Sequence, residues 1–306
     1  MTTVWEPPVL AEDELREIES RIVNAFATRS TDGLSVLGFG ELGLAIGWPT
    51  EAPTMVVKRQ TVGTPETVRA DLDRMQEYHD ALEAHDLPVL PTELRTIRLE
   101  SGDDAGYVVQ PLVARENLVE HLLPDITPTV NHPILIAIRD AVIGVVHDGP
   151  SGGLSVDAQV TNFAWDGSGV TVIDTTPPLV WEADGGPFYD VGNYLLAIPA
   201  PLRPAAMKIT RQQGDRVRTG TGALTQTCVF LKRIELDQWV DAAIETFNDA
   251  LDTPIERAEV EKLFREATKN FPLIKFMARI QRFWVTKVRG GEYQYFITNS
   301  FSGEIL

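Results

Sequence analysis

Residues 154–178, LSVDAQVTNFAWDGSGVTVIDTTPP, carry three polar side chains whose spacing decides the fold. Asp157 precedes Asn162 by five residues, and Asp174 follows Asn162 by twelve. Between Asn162 and Asp174 the sequence is apolar, then has a turn cluster at 166–169, and is then β-branched, which predicts a β-hairpin. Because a hairpin returns to its own starting end, we expect Asn162 and Asp174 to lie close together, with Asp157 beside them.

One amide and two carboxylates at a single point are oxygen ligands of the kind that suits Mg²⁺, which usually takes a few protein oxygens together with substrate phosphates. The alternative is that all three are ordinary turn residues, because Asp and Asn are common in turns. The rest of the chain has to decide between these two interpretations.

A glycine-rich segment lies near the N-terminus, where Gly38, Gly40 and Gly43 form the pattern GxGxxG between two apolar runs. This pattern also occurs in dinucleotide-binding folds, but there a helix follows the third glycine directly. Here residues 44–49, LAIGWP, are typical of a second strand that ends at a proline. The segment is therefore predicted to be a strand, a glycine turn and a second strand, which disfavours the dinucleotide-binding fold.

Lys58 lies in the next apolar run, residues 54–60, TMVVKRQ, which predicts a strand. The alternative to a functional role is a surface lysine on an edge strand. Thr64 and Pro65 then form a helix start, and apolar residues at helical spacing continue to about Ala84.

These features stand in the order found in the protein kinase-like superfamily, which the chain resembles over about residues 37–196. LPVLP at 87–91 and YDVG at 189–192 resemble motifs of its aminoglycoside phosphotransferase and choline kinase branch. The resemblance implies an α+β fold with two lobes. Residues 1–112 form a small, antiparallel, β-rich N-terminal lobe, and residues 113–306 form a larger, mostly helical C-terminal lobe.

The resemblance also implies roles for individual residues. Asp157 is the catalytic base that accepts the proton of the substrate hydroxyl, and Asn162 and Asp174 bind Mg²⁺. ATP is held by Gly38, Gly40, Gly43, Lys58, Glu77 and Gln110. In this set Lys58 contacts the α and β phosphates, Glu77 (or alternatively Asp73) holds Lys58, and Gln110 lies near the base. Asp190 braces the catalytic loop.

The implied function is an ATP- and Mg²⁺-dependent phosphotransferase, a kinase that moves the γ-phosphate to a hydroxyl group of a small molecule. A protein substrate is disfavoured because no Ala-Pro-Glu segment follows Asp174. One departure keeps other functions open: Ser155-Val156 precedes Asp157 where the family has His-Gly or His-Arg. The alternatives are a nucleotide-binding pseudokinase or regulatory module, and a nucleotidyltransferase with the same fold.

Composition and net charge limit the possible binding partners and the cellular location. The formal net charge of −17 and the pI of about 4.7 argue against a nucleic acid or an anionic membrane as the main partner. Glu182 and Asp184 can attract a cationic substrate, although they can equally be solvated loop acids. Cys228 is the single cysteine, and the N-terminus lacks the pattern of a signal peptide. We therefore expect a cytoplasmic protein.

Helices are also predicted beyond the residues of the site. Helices are predicted over 11–28, 116–123, 133–147, 223–251 and 254–270, the last of them continuing towards Phe283. The most apolar of these, residues 133–147, is interrupted by Arg139 and Asp140 and is too short to span a bilayer.

Overall fold

The structure is a computed structural model that describes residues 5–39, 44–149, 152–182, 186 and 199–289, and the statements below concern those residues. It is an α+β protein with an antiparallel sheet in its N-terminal part and a mainly helical C-terminal part. None of the helices in the described ranges is long and apolar enough to cross a membrane.

The N-terminal sheet has five antiparallel strands in the order β1-β2-β3-β5-β4. They are β1 (Ser35–Phe39), β2 (Leu44–Trp48), β3 (Met55–Gly63), β4 (Glu93–Arg98) and β5 (Asp104–Pro111). β1 pairs with β2, so the glycine-rich segment connects two neighbouring strands. A strand rather than a helix follows Gly43, and the dinucleotide-fold alternative is therefore excluded.

Two helices cover opposite faces of this sheet. The first, α1 (Glu12–Thr28), packs Leu15, Ile18 and Ile22 into a core that also contains Val57 and Tyr107. The second, α2 (Pro65–Ala84), approaches the other face, since a Cβ on Gly106 would meet Val68 at 3.1 Å. Side chains alternate along a strand, so Val57 faces α1 and the next residue, Lys58, faces the α2 side. The lysine therefore has no part in the α1 core.

A buried polar cluster fixes α1 to the sheet. The Arg59 guanidinium lies 2.7 Å from the Glu19 carboxylate, with both side chains less than a tenth exposed. Tyr107 donates its hydroxyl hydrogen to the same carboxylate. The pKa of Tyr107 is raised above its usual value, mainly by burial and to a smaller extent by the negative charge of Glu19. Charges buried in this way need their partners, because removing one of them leaves the other uncompensated.

The C-terminal part is built from helices around one apolar core. The helices are α3 (Val119–Leu122), α4 (Pro133–Val145), α5 (Arg203–Arg216), α6 (Gly220–Arg233), α7 (Val240–Asn248) and α8 (Arg257–Phe283), and a π-helical turn (Trp284–Val288) follows α8. Phe163, Trp239 and Phe247 are fully buried in this core. No sequence pattern predicted α5.

The single helix predicted over 223–251 is two helices. α6 ends because Glu235 adopts a left-handed φ of 63°, and the Leu236 N–H turns back to the Leu231 carbonyl at 2.8 Å. A helix commonly ends in this way, although glycine is the usual residue there. No glycine or proline marks this break in the sequence. The last predicted helix, over 254–270 and continuing towards Phe283, is α8, which ends at Phe283 and contains Pro272 within it.

Short strands complete the C-terminal part. β6 (His147–Gly149), β7 (Gly152–Leu154) and β10 (Val180–Trp181) form a three-stranded sheet, and β8 (Phe163–Trp165) and β9 (Val170–Val172) form a hairpin. His147 therefore begins a strand and does not end α4, which stops at Val145. The hairpin lies where the sequence predicted it. Its strand bounds agree with the apolar run and the β-branched run on either side of the turn cluster to within one residue.

Candidate functional site

The β8–β9 hairpin brings Asn162 and Asp174 to the same end. Phe163 pairs with Val172, and the Ile173 N–H donates to the Asn162 carbonyl at 2.9 Å. Asn162 lies directly before β8, and Asp174 lies two residues after the end of β9. Both residues are therefore at the same end of the hairpin. The convergence expected from the sequence is present.

Asp157 is joined to Asn162 across the loop between them. The Asn162 Nδ2 donates to the Asp157 backbone carbonyl at 3.2 Å, and Gln159 Nε2 donates to Asp157 Oδ2 at 2.8 Å. The fully buried Thr227 hydroxyl, on α6, donates to the Ala158 carbonyl at 2.6 Å. The Asn162 Oδ1 accepts from the Thr161 hydroxyl at 3.4 Å and, as a carbonyl oxygen, has a second lone pair for another partner.

Lys58 links the N-terminal sheet to this site. Its Nζ lies 3.4 Å from Asp174 Oδ2 and donates to the Ile173 carbonyl at 3.1 Å. The lysine side chain is 16% exposed and the aspartate 37%, so the pair sits at the boundary between protein and solvent. A residue of β3 and a residue of the segment after β9 therefore meet in one ion pair.

Glu77, predicted to hold Lys58, is exposed on α2, and no ion pair joins it to Lys58 among the described residues. Asp73, the alternative, is exposed as well. The reason is helical phase, because the buried positions of α2 fall at Tyr78 and His79. The structure thus gives Lys58 the partner Asp174 and not a carboxylate of α2.

Tyr78 takes the place nearest to the catalytic loop. Its hydroxyl donates to the Ser155 carbonyl at 2.8 Å, and the Ser155 hydroxyl donates to the Val217 carbonyl at 2.6 Å. Both side chains are buried. Burial, and then the negative charge of Asp157, raises the pKa of Tyr78 well above its usual value. A tyrosine from α2 thus supports the loop in a chain that has Ser155 where the kinase family has histidine.

His79 supports the loop that carries Asp174. Its Nε2 lies 2.7 Å from the Thr175 hydroxyl, and the Thr176 N–H donates to Asp174 Oδ1 at 3.1 Å. Burial lowers the pKa of His79 to about 4, so the ring is neutral near neutral pH. Sequence reasoning missed Tyr78 and His79 as site residues. The signal was present, because His79 follows Met75 and precedes Leu82 at core-facing spacing.

A neutral, buried His79 is expected to make folding stability fall in mild acid. The imidazole has a pKa of about 6.5 when unfolded and about 4 when folded, so the unfolded chain binds more protons between these values. The free energy of unfolding therefore drops as the pH falls through this window, by up to about 3 kcal/mol. Urea unfolding of the wild type and of His79→Gln at several pH values measures it. The variant should lack this part of the slope, and equal slopes would exclude His79 as the group responsible.

The glycine-rich segment is only partly described. Gly38 lies in β1 opposite Ala45, after an irregularity in the β1–β2 pairing. Gly40 and Gly43 lie outside the described residues, and so does Asp190. Their roles stay predictions.

Gln110 lies near the end of β5, directly before the segment that leads to the C-terminal part. Its side chain is buried and its Nε2 donates to the Thr92 hydroxyl at 3.0 Å. Pro111 has no N–H, and the N–H of Leu112 donates to the Thr54 carbonyl at 3.0 Å. The structure thus places the Gln110 side chain against Thr92, and its proximity to a nucleotide base stays a prediction.

The donor set suits a hard cation that also binds phosphate. Within the described ranges no three His, Cys, Asp or Glu side chains are grouped as a metal site, so the protein does not build a complete cage there. Asn162 and Asp174 instead offer an amide oxygen and a carboxylate. Mg²⁺ is commonly held by one or two such groups while substrate phosphates and water complete its coordination. The pair fits the metal that the sequence predicted.

Three comparisons place the chain among known proteins. Among solved structures, a MAP kinase, LmaMPK10 from Leishmania major, is similar over 85% of this chain and 100% of its own, with 13% identity and a TM-score of 0.28. No curated protein sequence matches. The profile of a family described as "Family of unknown function (DUF6206)" matches residues 17–186, which is more than half of the chain and includes Lys58, Asp157, Asn162 and Asp174. The chain therefore belongs to the DUF6206 family.

Proposed function

We propose that this protein is an ATP- and Mg²⁺-dependent phosphotransferase of the protein kinase-like fold, acting on a hydroxyl group of a small molecule. One observation carries the proposal. Lys58 of the N-terminal sheet reaches Asp174, which the hairpin places beside Asn162. Three residues that are far apart in the chain thus supply a cation, a carboxylate and an amide to one cleft, which is the set that phosphoryl transfer from ATP requires.

In this proposal each group has a separate task. Asp174 and Asn162 bind Mg²⁺, which neutralises charge on the phosphates, and Lys58 moves from Asp174 to the α and β phosphates when the nucleotide binds. Asp157 orients the acceptor hydroxyl and takes its proton, while Gln159 holds the carboxylate in place at 2.8 Å. Catalysis of this kind consists mostly of positioning and electrostatic stabilisation, so buried supports such as Tyr78 matter as much as the charged groups.

The LPVLP segment, on which the resemblance to the small-molecule branch partly rests, contacts the strand that leads to Asp174. The Val172 N–H donates to the Pro88 carbonyl at 2.9 Å, and the Leu90 N–H donates to the Val172 carbonyl at 2.8 Å. The segment therefore pairs with β9, the strand that leads to Asp174. This gives a physical reason for a proline-bounded, extended segment after α2, since it connects the sheet region to the proposed metal loop.

A second candidate is a nucleotide-binding module without catalysis. The observation that favours it is the direct ion pair between Lys58 and Asp174, because each group neutralises the other and α2 offers Lys58 no alternative carboxylate. Such a protein binds a nucleotide but does not consume it. Nucleotidyl transfer is the third outcome that a test has to separate.

Labelled ATP distinguishes these functions in one experiment. The protein is incubated with Mg²⁺, a panel of hydroxylated amines, and ATP labelled at either the α or the γ phosphate. We expect the γ label alone to move to one acceptor class. Transfer of the α label would establish nucleotidyl transfer, and saturable binding without transfer of either label would establish the non-catalytic module.

A further inference from the structure

The second half of α8 and the π-helical turn after it carry a charge opposite to that of the chain. Residues 267–289 contain six basic residues and no acidic residue, in a protein of net charge −17. The basic residues are Lys269, Lys275, Arg279, Arg282, Lys287 and Arg289. The positive charges are close enough to affect one another, since burial and then the charge of Arg279 lower the pKa of Lys275.

The same segment exposes a continuous apolar face, which we call the α8 face. Its members recur at intervals of three or four residues, the spacing of one side of a helix. Phe276 and Phe283 are 58% and 63% exposed, and the Trp284 side chain is about half exposed. The α8 face consists of Phe276, Ile280, Phe283, Trp284 and Val288. Met277 and Ala278, in the same stretch of α8, are buried.

We propose that the α8 face binds the surface of an anionic lipid bilayer. Aromatic and aliphatic side chains on one side of a helix, with lysine and arginine beside them, are the composition of helices that lie in the membrane interface. The apolar side chains enter the boundary between headgroups and acyl chains, and the basic side chains bind the anionic headgroups. This inference does not depend on the proposed phosphotransferase activity.

A second copy of the chain fits the α8 face less well. From Phe276 to Val288 a helix rises about 18 Å, and a strip about 10 Å wide offers only about 200 Å². A stable protein–protein interface buries about 800 Å² on each partner. A bilayer requires no such minimum contact area. The free energy of binding is the sum of two contributions, the insertion of a few apolar side chains and the attraction between basic side chains and anionic headgroups.

The net charge of the chain does not prevent this binding, although it was the basis for expecting no membrane partner. Charges act over a screening length of about 8 Å at physiological ionic strength. A bilayer in contact with the α8 face therefore senses the local basic residues much more than distant acidic ones. The distribution of charge, and not its sum, decides which surface can bind.

Vesicle sedimentation of the full chain tests the proposal. We expect the protein to sediment with phosphatidylcholine vesicles that contain phosphatidylglycerol, to stay in solution with phosphatidylcholine alone, and to be released by salt. Arg279→Glu/Lys287→Glu should weaken partitioning by about a hundredfold or more. The matched control is Arg16→Glu/Lys262→Glu, which reverses two charges on exposed side chains outside the α8 face and should change partitioning far less.

Tryptophan fluorescence gives a second measurement that does not depend on a loss of binding. Anionic vesicles should shift the emission of the wild type to shorter wavelength, and Trp284→Phe should still sediment but lose most of that shift. The proposal is wrong if the protein ignores anionic vesicles, or if the control pair and the α8 pair behave alike. It is equally wrong if Phe276→Ser/Phe283→Ser leaves vesicle binding intact while converting a dimer to a monomer, because the occupant is then a second copy.

Discussion

Asp157→Asn should lower the turnover number of the phosphotransferase reaction by about two to four orders of magnitude, the range for loss of a general base. The amide keeps the size of the side chain and can still accept from Gln159, whose Nε2 lies 2.8 Å from Asp157 Oδ2. It cannot take the proton of the acceptor hydroxyl. Because the proposed base binds neither the metal nor the phosphates, affinity for Mg²⁺-ATP should stay within a few-fold of the wild type. Steady-state kinetics with the acceptor found by γ-label transfer, together with nucleotide titration, measure both quantities.

A matched control separates this effect from a change of charge alone. Asp140→Asn removes one carboxylate from an exposed position on α4, where Asp140 contacts only Arg139 among the ion pairs of the described residues. Its turnover should equal that of the wild type. If Asp157→Asn also turned over normally, Asp157 would not be the base, and the functional assignment of the loop would have to be abandoned.

The part of the site that sequence predicted well depends on local rules. Phe163–Trp165 and Val170–Val172 are strands because apolar and β-branched runs flank a turn cluster, and Asp166 accepts the Gly169 N–H within that turn at 2.9 Å. A hairpin fixes the relative position of its two ends without reference to the rest of the fold. The convergence of Asn162 and Asp174 follows from these local facts alone.

The parts that sequence did not predict depend on tertiary packing. Glu77 has the chain spacing expected of a partner for Lys58, but the rotation of α2 is set by its apolar residues, which direct Tyr78 and His79 inward. A motif spacing does not report that rotation. The break between α6 and α7 is a second example of a feature set by tertiary packing. It occurs at Glu235, which adopts a left-handed backbone conformation, and no glycine marks this position in the sequence.

Supports of the catalytic loop also came from positions that no motif marks. Ser155 stands where the resemblance implies a histidine, and its hydroxyl donates to the Val217 carbonyl. Tyr78 contacts the loop that contains Asp157, and His79 contacts the loop that contains Asp174. Adjacent residues of α2 therefore contact both loops.

Asp174→Asn should remove most of the stabilisation that Mg²⁺-ATP gives to the protein. A ligand that binds only the folded state at a hundred times its dissociation constant stabilises it by about 2.7 kcal/mol. For a chain of this size that corresponds to a rise of the thermal midpoint by roughly 4 °C. The amide of the variant is a poorer Mg²⁺ ligand and no longer neutralises Lys58, which lies 3.4 Å away. We therefore expect the midpoint of the variant to change little when Mg²⁺ is added to ATP.

The same thermal measurement decides between a metal-dependent and a metal-independent nucleotide site. Asp140→Asn is again the matched control and should keep the full Mg²⁺-dependent rise. If Asp174→Asn kept that rise too, Asp174 would not bind the metal, and the ion pair with Lys58 would be structural. If no nucleotide raised the midpoint of the wild type, the ATP-dependent functions would be excluded together. Lys58 and Asp174 would then be a pair that closes the cleft, because a lysine neutralised by a fixed carboxylate has no charge left to attract phosphate.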